Sequence, residues 1–320
     1  MELRHLRYFV AIAEAGTVNG AATRLHITQP SVSRQLRQLE RELGVDLFDL
    51  VGRRFTLSPA GRTLLPLARD VLGRADAVRA AAAFHRNGRL ERLTIGAPAV
   101  TLTDVVAPFI ATLAADDPTT DVLGADGLSA AETLRLGADL AIGTARGADP
   151  YRSQPLAVLP VWAYVPVGHR WQDRAEVTLA ELIAEPLIVL PPASTARQAL
   201  EHAVASIGAG LNAGSDVHTV ASIGAGLNAG SDVGGGSRSV TEAANGTVAQ
   251  ALAAAGRGVA VVTDDPRFGL VPLAVDLGGR RLSIRLVALW DSRHAAAATV
   301  EGFAARLGRF VRDRYNAPAD

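Results

Sequence analysis

The sequence predicts a multidomain α+β protein, with helices first, one long helix next, and strands alternating with helices after that. The chain has 320 residues, which exceeds what one compact core usually holds. Apolar residues recur at helical spacing as far as Phe84. Short apolar runs bounded by turn residues begin at Arg92 and are separated by helical patterns. The sequence therefore divides into a helical N-terminal part and a C-terminal α/β part.

Charge is distributed unevenly along the chain. Residues 1–90 contain 14 Arg and 8 acidic residues, a net of +6, whereas residues 91–320 contain 18 Arg and 24 acidic residues, a net of −6. This favours a polyanion as partner of the N-terminal part, although chance surface charge is the alternative. There is no cysteine, no secretory signal and no apolar run of about 20 residues. We expect a cytoplasmic protein that does not engage a membrane.

Three short helices are predicted at the N-terminus. The first covers about residues 3–15 and ends at Gly16, and Thr17 caps a second over Val18–Leu25. Thr28 caps a third, over Gln29–Leu43. The apolar side chains of this third helix fall on one face: Val32, Leu36, Leu39 and Leu43. Its opposite face is polar, which suits a helix that enters the major groove of DNA, and a plain three-helix bundle is the alternative.

A short hairpin is predicted directly after these helices. The stretch from Leu47 to Ser58 is typical of two extended segments that turn at Gly52. Arg53 and Arg54 then lie at its tip, where arginine suits a phosphate or a narrow minor groove. The two segments form the wing of a predicted winged helix-turn-helix.

From about residue 3 to 65 the sequence resembles the LysR-type transcriptional regulators. The matching stretches are Leu6–Phe9, Ala21–Leu25, Thr28–Ser33, Leu39–Glu40, Leu43–Gly44, Leu47–Phe48 and Pro59–Gly61. Leu50 and Ser58 depart from the family, which usually has a basic residue and a threonine there. The resemblance and the helix pattern give these predicted DNA-binding residues: Thr17, Val18, Thr28, Gln29, Pro30, Ser31, Ser33, Arg34, Arg37, Arg53 and Arg54.

A long amphipathic helix should connect the two parts, from Ser58 or Pro59 to Asn87–Gly88. In the resembled family this helix pairs with its copy in a second subunit, and packing on the chain's own C-terminal domain is the alternative. The resemblance implies a homodimer or homotetramer that binds double-stranded DNA at a pseudo-palindromic operator and contacts RNA polymerase. It implies no cofactor, no metal and no enzymatic activity.

By the same resemblance, the C-terminal part is a periplasmic-binding-protein-like domain of two α/β lobes. The predicted domains are 1–58 for DNA binding, 59–88 for the linker helix and 89–315 for effector binding. Lobe one is expected over 92–165 and 268–315, and lobe two over 166–267. The predicted elements include a helix over Thr103–Ala114 and a strand over Leu156–Pro166.

A small-molecule effector is expected between the lobes, at loops that lead into helix N-termini. Free N–H groups there favour an anion, so a small acidic metabolite is one hypothesis. Arg146 and Arg197 could neutralise such an acid, and simple helix capping is the alternative reading of the hydroxyl residues. The predicted effector-binding residues are Ala99, Thr101, Ser129, Ser194, Thr195 and Thr247.

Two remaining features bear on alternatives. Val204–Val217 recurs unchanged as Val220–Val233, and its Gly, Ala, Ser and Asn composition predicts a flexible surface insert over about 207–238. No phosphate loop, nucleophile elbow or metal-ligand spacing is visible in the sequence. A solute-binding protein or a small-molecule enzyme with an accessory helical domain stays as the alternative, although neither alternative gives the first 60 residues a role.

Overall fold

The computed structural model describes residues 1–51, 54–210 and 239–318. Its N-terminal domain packs three helices and an antiparallel hairpin around one apolar core. The predicted helix bounds are confirmed to within one residue at each end. The elements of this domain are α1 (Leu3–Ala15), α2 (Val18–Arg24), α3 (Gln29–Leu43), β1 (Phe48–Val51) and β2 (Arg54–Leu57).

Local capping accounts for these bounds. Gly16 and Gly44 end α1 and α3 in the left-handed conformation, which glycine adopts without steric cost. The Thr17 hydroxyl accepts the Gly20 N–H at 3.0 Å and starts α2. Thr28 stands at the start of α3, but its side chain accepts no capping hydrogen bond. Leu43, expected on the apolar face of α3, is 37% exposed because the core ends at Leu39.

A single helix of 29 residues, α4 (Pro59–Asn87), leads out of this domain and ends at Gly88. Its first half packs on the N-terminal core, while Phe84 packs on the core of lobe one. At its middle, Gly73 lies so close to Arg135 that an added Cβ would be 2.4 Å from the Arg135 carbonyl oxygen. The helix therefore packs against both of its own domains, and a third face stays uncovered in the single chain. Large apolar side chains on that face are Leu67, Val71 and Val78.

Lobe one is built on a five-stranded sheet with the order β4-β3-β5-β13-β6. Strands β3, β4 and β5 are parallel, whereas β13 and β6 are antiparallel to their neighbours. Its elements are β3 (Arg92–Ala97), α5 (Ala99–Thr101), a π-helical turn (Leu102–Val106), α6 (Ala107–Ile110), β4 (Thr119–Gly124), α7 (Ala130–Arg135), β5 (Leu140–Gly143), β6 (Tyr151–Pro160), β13 (Ser283–Asp291) and the C-terminal helix α11 (Ala297–Tyr315).

Lobe two is built on a six-stranded sheet with the order β10-β9-β11-β7-β12-β8. Strands β9, β10 and β11 are parallel, as three strands are in lobe one. Its elements are β7 (Trp162–Val165), β8 (Glu176–Thr178), α8 (Leu179–Leu182), β9 (Leu187–Val189), α9 (Thr195–Gly210), β10 (Val240–Glu242), α10 (Gly246–Ala254), β11 (Val259–Val262) and β12 (Val271–Asp276).

The boundary between the lobes differs from the expected one. The run expected as one strand over Leu156–Pro166 is two strands, which lie in different sheets on either side of Val161. Strand β12, expected in lobe one, pairs with β7 and β8 in lobe two. The chain therefore crosses between lobes at Val161 and again at Leu282, where the Val161 N–H donates to the Leu282 carbonyl at 2.9 Å.

One predicted helix begins and ends earlier than expected, and most of the predicted insert lies outside the described residues. The helix expected over Thr103–Ala114 begins earlier, at Ala99, and its last helical residue is Ile110. The early start arises because Asp126 accepts the Ala99 N–H and so caps the first turn. Of the expected insert over 207–238, residues 207–210 form the end of α9, and 211–238 lie outside the described residues. Within the described ranges, no helix combines the length and apolar content that a membrane crossing requires.

Candidate functional site

The polar face of α3 is presented to solvent by the apolar face behind it. Val32, Leu36 and Leu39 are at most 4% exposed and hold the helix against α1 and α2. Arg34 and Arg37 point away from this core and are exposed. The helical repeat thus separates a packing stripe from a basic stripe on one short element.

The carboxylates of α3 are engaged elsewhere in the domain. Glu40 Oε1 accepts the Leu47 N–H at 2.9 Å, and Glu42 pairs with the Met1 ammonium group at 2.7 Å. The hydrogen bond from that ammonium group is the main reason that the pKa of Glu42 is lowered. Among the described residues, Arg34 and Arg37 have no carboxylate partner. Their guanidinium groups are left to attract an external anion.

The other residues predicted to bind DNA take different positions. Thr17, Thr28, Gln29 and Pro30 are exposed, and Gln29 Nε2 donates to Ser33 Oγ at 3.0 Å. Val18 is only 6% exposed and belongs to the core, so its side chain is not available to DNA. Ser31 and Ser33 are half-buried.

The hairpin β1–β2 forms within the stretch that was predicted to be the wing. Phe48 pairs with Leu57, and Val51 pairs with Arg54 at the far end of the antiparallel ladder. Phe48 contacts Phe9 and Phe55 edge-on, with ring centroids 5.6 and 5.8 Å apart, which fixes the wing to α1. Arg53 lies outside the described residues, and for Arg54 the structure gives the strand position of its backbone. The wing contacts stay a prediction.

The second candidate site is the cleft between the lobes. In each sheet the parallel strands end at one edge, and the loops after β3, β4, β9, β10 and β11 lie there. Loops at the carboxyl ends of parallel strands form the usual ligand crevice of open α/β sheets. The two edges face each other, because a Cβ placed on Gly127 of lobe one would lie 3.8 Å from the Ala193 Cβ of lobe two.

The predicted effector residues lie at these edges, and several are engaged within the chain. The Ala99 N–H donates to Asp126 Oδ1 at 2.9 Å, and the Ser129 hydroxyl donates to Glu132 Oε2 at 2.6 Å. Ser194 Oγ accepts the Arg197 N–H at 3.3 Å. Thr101 is 8% exposed, Thr195 is half-buried and Thr247 is exposed. Ser129 and Ser194 therefore cap their helices, as the alternative interpretation of these hydroxyl residues predicts.

The arginines of the cleft are also engaged. Arg197, proposed above for an acidic ligand, is 1% exposed, and its Nε donates to Glu201 Oε1 at 2.6 Å. Arg146 is exposed in the loop after β5.

A cluster of charged side chains joins the lobes and was missed by the sequence reasoning. Asp104, on the π-helical turn of lobe one, accepts the Asp265 N–H at 3.0 Å and Arg267 Nη2 at 2.7 Å. Gln250 binds the backbone of the same loop in lobe two through both ends of its amide. Tyr315 donates to the Asp104 carbonyl at 2.8 Å. The partners of Asp104 are more than 150 residues away in sequence, so no local pattern indicates them.

Burial controls the ionisation of this cluster. Asp264 is 5% exposed, and burial, reinforced by the nearby Asp104 carboxylate, raises its pKa to about 6. Burial also raises the pKa of Tyr164, whose hydroxyl donates to the Asp264 carbonyl at 2.8 Å. Desolvation likewise raises the pKa of Tyr315 to about 12. The junction between the lobes is therefore a poorly solvated environment for charge.

Two family models match the chain in the order of its domains. Residues 3–62 match the bacterial regulatory helix-turn-helix protein model of the lysR family, and residues 86–231 match the LysR substrate binding domain. Together the two matched ranges cover more than half of the chain. The chain belongs to the LysR family.

Curated relatives of this LysR-family chain are HTH-type transcriptional regulators. TfdT of Cupriavidus pinatubonensis is 41% identical over 116 residues, which are 35% of this chain and 51% of TfdT. TfdS of the same organism is 50% identical over 98 residues, which are 30% of this chain and 32% of TfdS. The matches thus span about a third to a half of these relatives. YnfL of Escherichia coli, described as uncharacterized, is 31% identical over 60% of this chain and 66% of its own length.

Solved structures of the family share the fold. CbnR, described as a LysR family transcriptional regulator, aligns with a TM-score of 0.58 at 20% identity, over 98% of this chain and 99% of its own. Full-length OxyR from Pseudomonas aeruginosa aligns with a TM-score of 0.57 at 20% identity, over 98% and 95% of the two chains. At this identity the likeness establishes the architecture.

Proposed function

We propose that this protein is a transcriptional regulator that binds double-stranded DNA through α3 and responds to a small molecule held between its lobes. The observation that carries the proposal is the face of α3 on which Arg34 and Arg37 lie exposed, while the carboxylates of the same helix are bound elsewhere. It agrees with the net charge of +6 over residues 1–90. The family models and the named relatives support the same function.

In the proposed complex, the first turns of α3 enter the major groove. Gln29 and Ser33, which hydrogen-bond each other in the free protein, face base edges, and glutamine suits adenine. Arg34 and Arg37 bind guanine or phosphates, and Thr17, Thr28, Pro30 and Ser31 approach the backbone. Arg53 and Arg54 of the wing contact the flanking duplex. Val18 contributes through its backbone alone, since its side chain is buried.

The uncovered face of α4 supports a homodimer as the DNA-binding unit. Leu67, Val71 and Val78 are 58%, 41% and 70% exposed, and their separations of four and seven residues fit the heptad pattern of a helix pair. A second copy covering this stripe would place two α3 helices on a pseudo-palindromic operator. A tetramer, contact with RNA polymerase and a cytoplasmic location belong to the same proposal, as does the absence of an enzymatic activity.

Anisotropy of labelled DNA tests this proposal with the full chain. Two 40-base-pair duplexes are compared, one from the region upstream of the protein's own gene and one of scrambled sequence. We expect log K to fall linearly with log salt for both, and the upstream duplex to bind at least about a hundredfold more tightly. Binding that ignores salt, or no binding to either duplex, would contradict the proposal.

A further inference from the structure

Two helix N-termini on the lobe-one side of the effector cleft are occupied by carboxylates of the chain itself. This matters because the proposed function, on which this inference rests, leaves the class of effector open. Asp126 accepts the Ala99 N–H at the start of the helical run 99–110. Glu132 accepts both the N–H and the hydroxyl of Ser129 before α7, at 2.8 and 2.6 Å. An incoming anion would compete with these fixed negative groups for the same donors.

Lobe two places a third carboxylate beside the start of α10, where Asn245 rather than an acid accepts the helix N–H group. The Asp264 carboxyl group lies on Gly246, so closely that an added Cβ there would be 2.0 to 2.1 Å from all three of its atoms. Asp264 is 5% exposed, and its Oδ2 has no hydrogen-bond partner among the described residues. A buried carboxylate oxygen without a donor is costly, and an external donor would relieve that cost.

The cations near Asp264 do not neutralise the cluster. Arg267 Nη1 is 3.7 Å from Asp264 Oδ1, but the same side chain binds Asp104 more closely, at 2.7 Å. Arg314, from α11 of lobe one, pairs with Asp265 at 3.0 Å. Three aspartates thus share two arginines, while the neighbouring phenols of Tyr164 and Tyr315 remain neutral because burial raises the pKa of each. The junction of the lobes has one more negative than positive charge when all three aspartates are ionised.

We propose that the effector of this protein carries a positively charged nitrogen, as an amine, amidine or guanidine does, and that Asp264 Oδ2 is its partner at the carboxyl edge of lobe two. Carboxylate effectors are disfavoured, because Asp126 and Glu132 already occupy the lobe-one donors that an acid would use, and an ionised Asp264 would repel an acid in lobe two. This replaces the small acidic metabolite that the loop pattern suggested. Because Asp104 of lobe one is hydrogen-bonded to Asp265 and Arg267 beside Asp264, the nitrogen reaches Asp264 when these contacts between the lobes open.

Melting of the full chain with two matched probe sets tests the charge preference. The sets are benzamidine, benzamide and benzoate, and butylamine, butyramide and butyrate, each at 10 mM. We expect benzamidine, butylamine or both to raise Tm by about 3 °C, as an excess of ligand over Kd does for a domain of this size. The amide and carboxylate of each set should leave Tm unchanged. A larger shift with either carboxylate would overturn the proposal.

Two variants separate a specific site from general charge. Asp264→Asn should abolish the shift, and Asp116→Asn should retain it, because Asp116 is an exposed aspartate near the opposite end of β4. A shift that survives Asp264→Asn would also overturn the assignment. The pKa of Asp264, near 6, adds a second readout, since the nitrogen binds only the ionised carboxylate. Affinity should rise about tenfold from pH 5 to pH 7 in the parent protein and stay flat in Asp264→Asn.

DNA binding and probe-dependent melting report separately on the regulator proposal and on the charge of the effector. Salt-sensitive DNA binding by the same preparation tests the regulator proposal without any effector. If DNA binds and a carboxylate probe stabilises the protein, the regulator proposal stands and the charge preference is wrong. If DNA binds and no probe changes Tm at 10 mM, the cationic class is rejected as well.

Discussion

The arginines of α3 and the arginines of the cleft differ in their exposure and in whether a carboxylate binds them. Arg34 and Arg37 are exposed and have no carboxylate partner among the described residues. Arg267 is half-buried and bound to Asp104, and Arg197 is buried and bound to Glu201. The first pair is available to an external anion, whereas the second pair is already neutralised within the protein.

The presence of an arginine therefore does not by itself identify an anion-binding site. A guanidinium group retains its charge in both places, so the position of the nearest carboxylate decides what it binds. On α3, Glu40 and Glu42 are bound to the Leu47 N–H and the Met1 ammonium group, so neither carboxylate pairs with Arg34 or Arg37. In the cleft the sheet edges bring them together. The predictions below test each side of this contrast.

The largest expected effect is the loss of Asp104. Asp104→Ala removes the acceptor of both the Asp265 N–H and Arg267, and leaves a partly buried guanidinium without its main partner. We expect the free energy of unfolding at pH 7 to fall by about 3 kcal/mol, measured by urea denaturation. Asp116→Ala, an exposed aspartate of the same lobe, should change it by less than about 0.5 kcal/mol. Equal values for the two variants would show that the cleft pairs contribute nothing to stability.

The second effect concerns DNA. The double variant Arg34→Ala, Arg37→Ala should weaken binding to the upstream duplex about a hundredfold and reduce the salt slope by about 2. Anisotropy titrations at four salt concentrations measure both quantities. The matched control is Arg309→Ala, an exposed arginine of α11, which should bind as the parent does. A parent-like double variant would mean that the basic face of α3 is not the DNA surface.

The third effect is a change in pH dependence. Because the pKa of Asp264 is raised from its ordinary value of 3.8 to about 6, the folded state holds this proton more tightly than the unfolded chain. Its contribution to stability is therefore present below about pH 4 and is lost as pH rises through 6. Asp264→Asn should be more stable than the parent at pH 7.5, by about 2 kcal/mol, and equal to it near pH 4. Urea denaturation between pH 4 and 8 measures the difference, which would be absent if Asp264 were solvated.

The opposite case is Asp117, which lies in lobe one just before β4. The hydrogen bond from Arg306 lowers the pKa of Asp117 to about 2, so its contribution is present at neutral pH and is lost below about pH 4. In urea denaturation extended down to pH 2, Asp117→Asn should consequently flatten the loss of stability below about pH 4 and leave the slope between pH 5 and 8 unchanged.

The smallest effect distinguishes two threonines that sequence reasoning treated alike. Thr17 accepts the Gly20 N–H, whereas Thr28 makes no side-chain capping bond. Thr17→Ala should lower the free energy of unfolding by about 1 kcal/mol, and Thr28→Ala should lower it by less than half of that. In anisotropy, Thr28→Ala should still weaken DNA binding if its hydroxyl contacts the backbone. Equal stability losses would contradict the capping geometry.

The same contrast explains what the sequence could predict. The bounds of α1, α3 and α4 follow from spacing, capping residues and glycines within a few residues of each end, so they were predicted almost completely. The boundary at Val161 was not, because which sheet a strand joins depends on pairings such as Val161 with Leu282. For the cleft, sequence reasoning found Ala99 and Ser129 but missed Asp126 and Glu132, which accept their hydrogen bonds, as well as the buried Asp264. Only Glu132 lies within one helical turn of its partner, as a capping-box pattern would have shown.

The paired crossings at Val161 and Leu282 limit how the effector domain can move. Two adjacent strands, hydrogen-bonded where they pass between sheets, resist sliding and twisting far more than bending across their common line. We therefore expect the two halves of the domain to move relative to each other mainly by bending about the line through Val161 and Leu282. A ligand bound between the lobes would then chiefly change the angle between them.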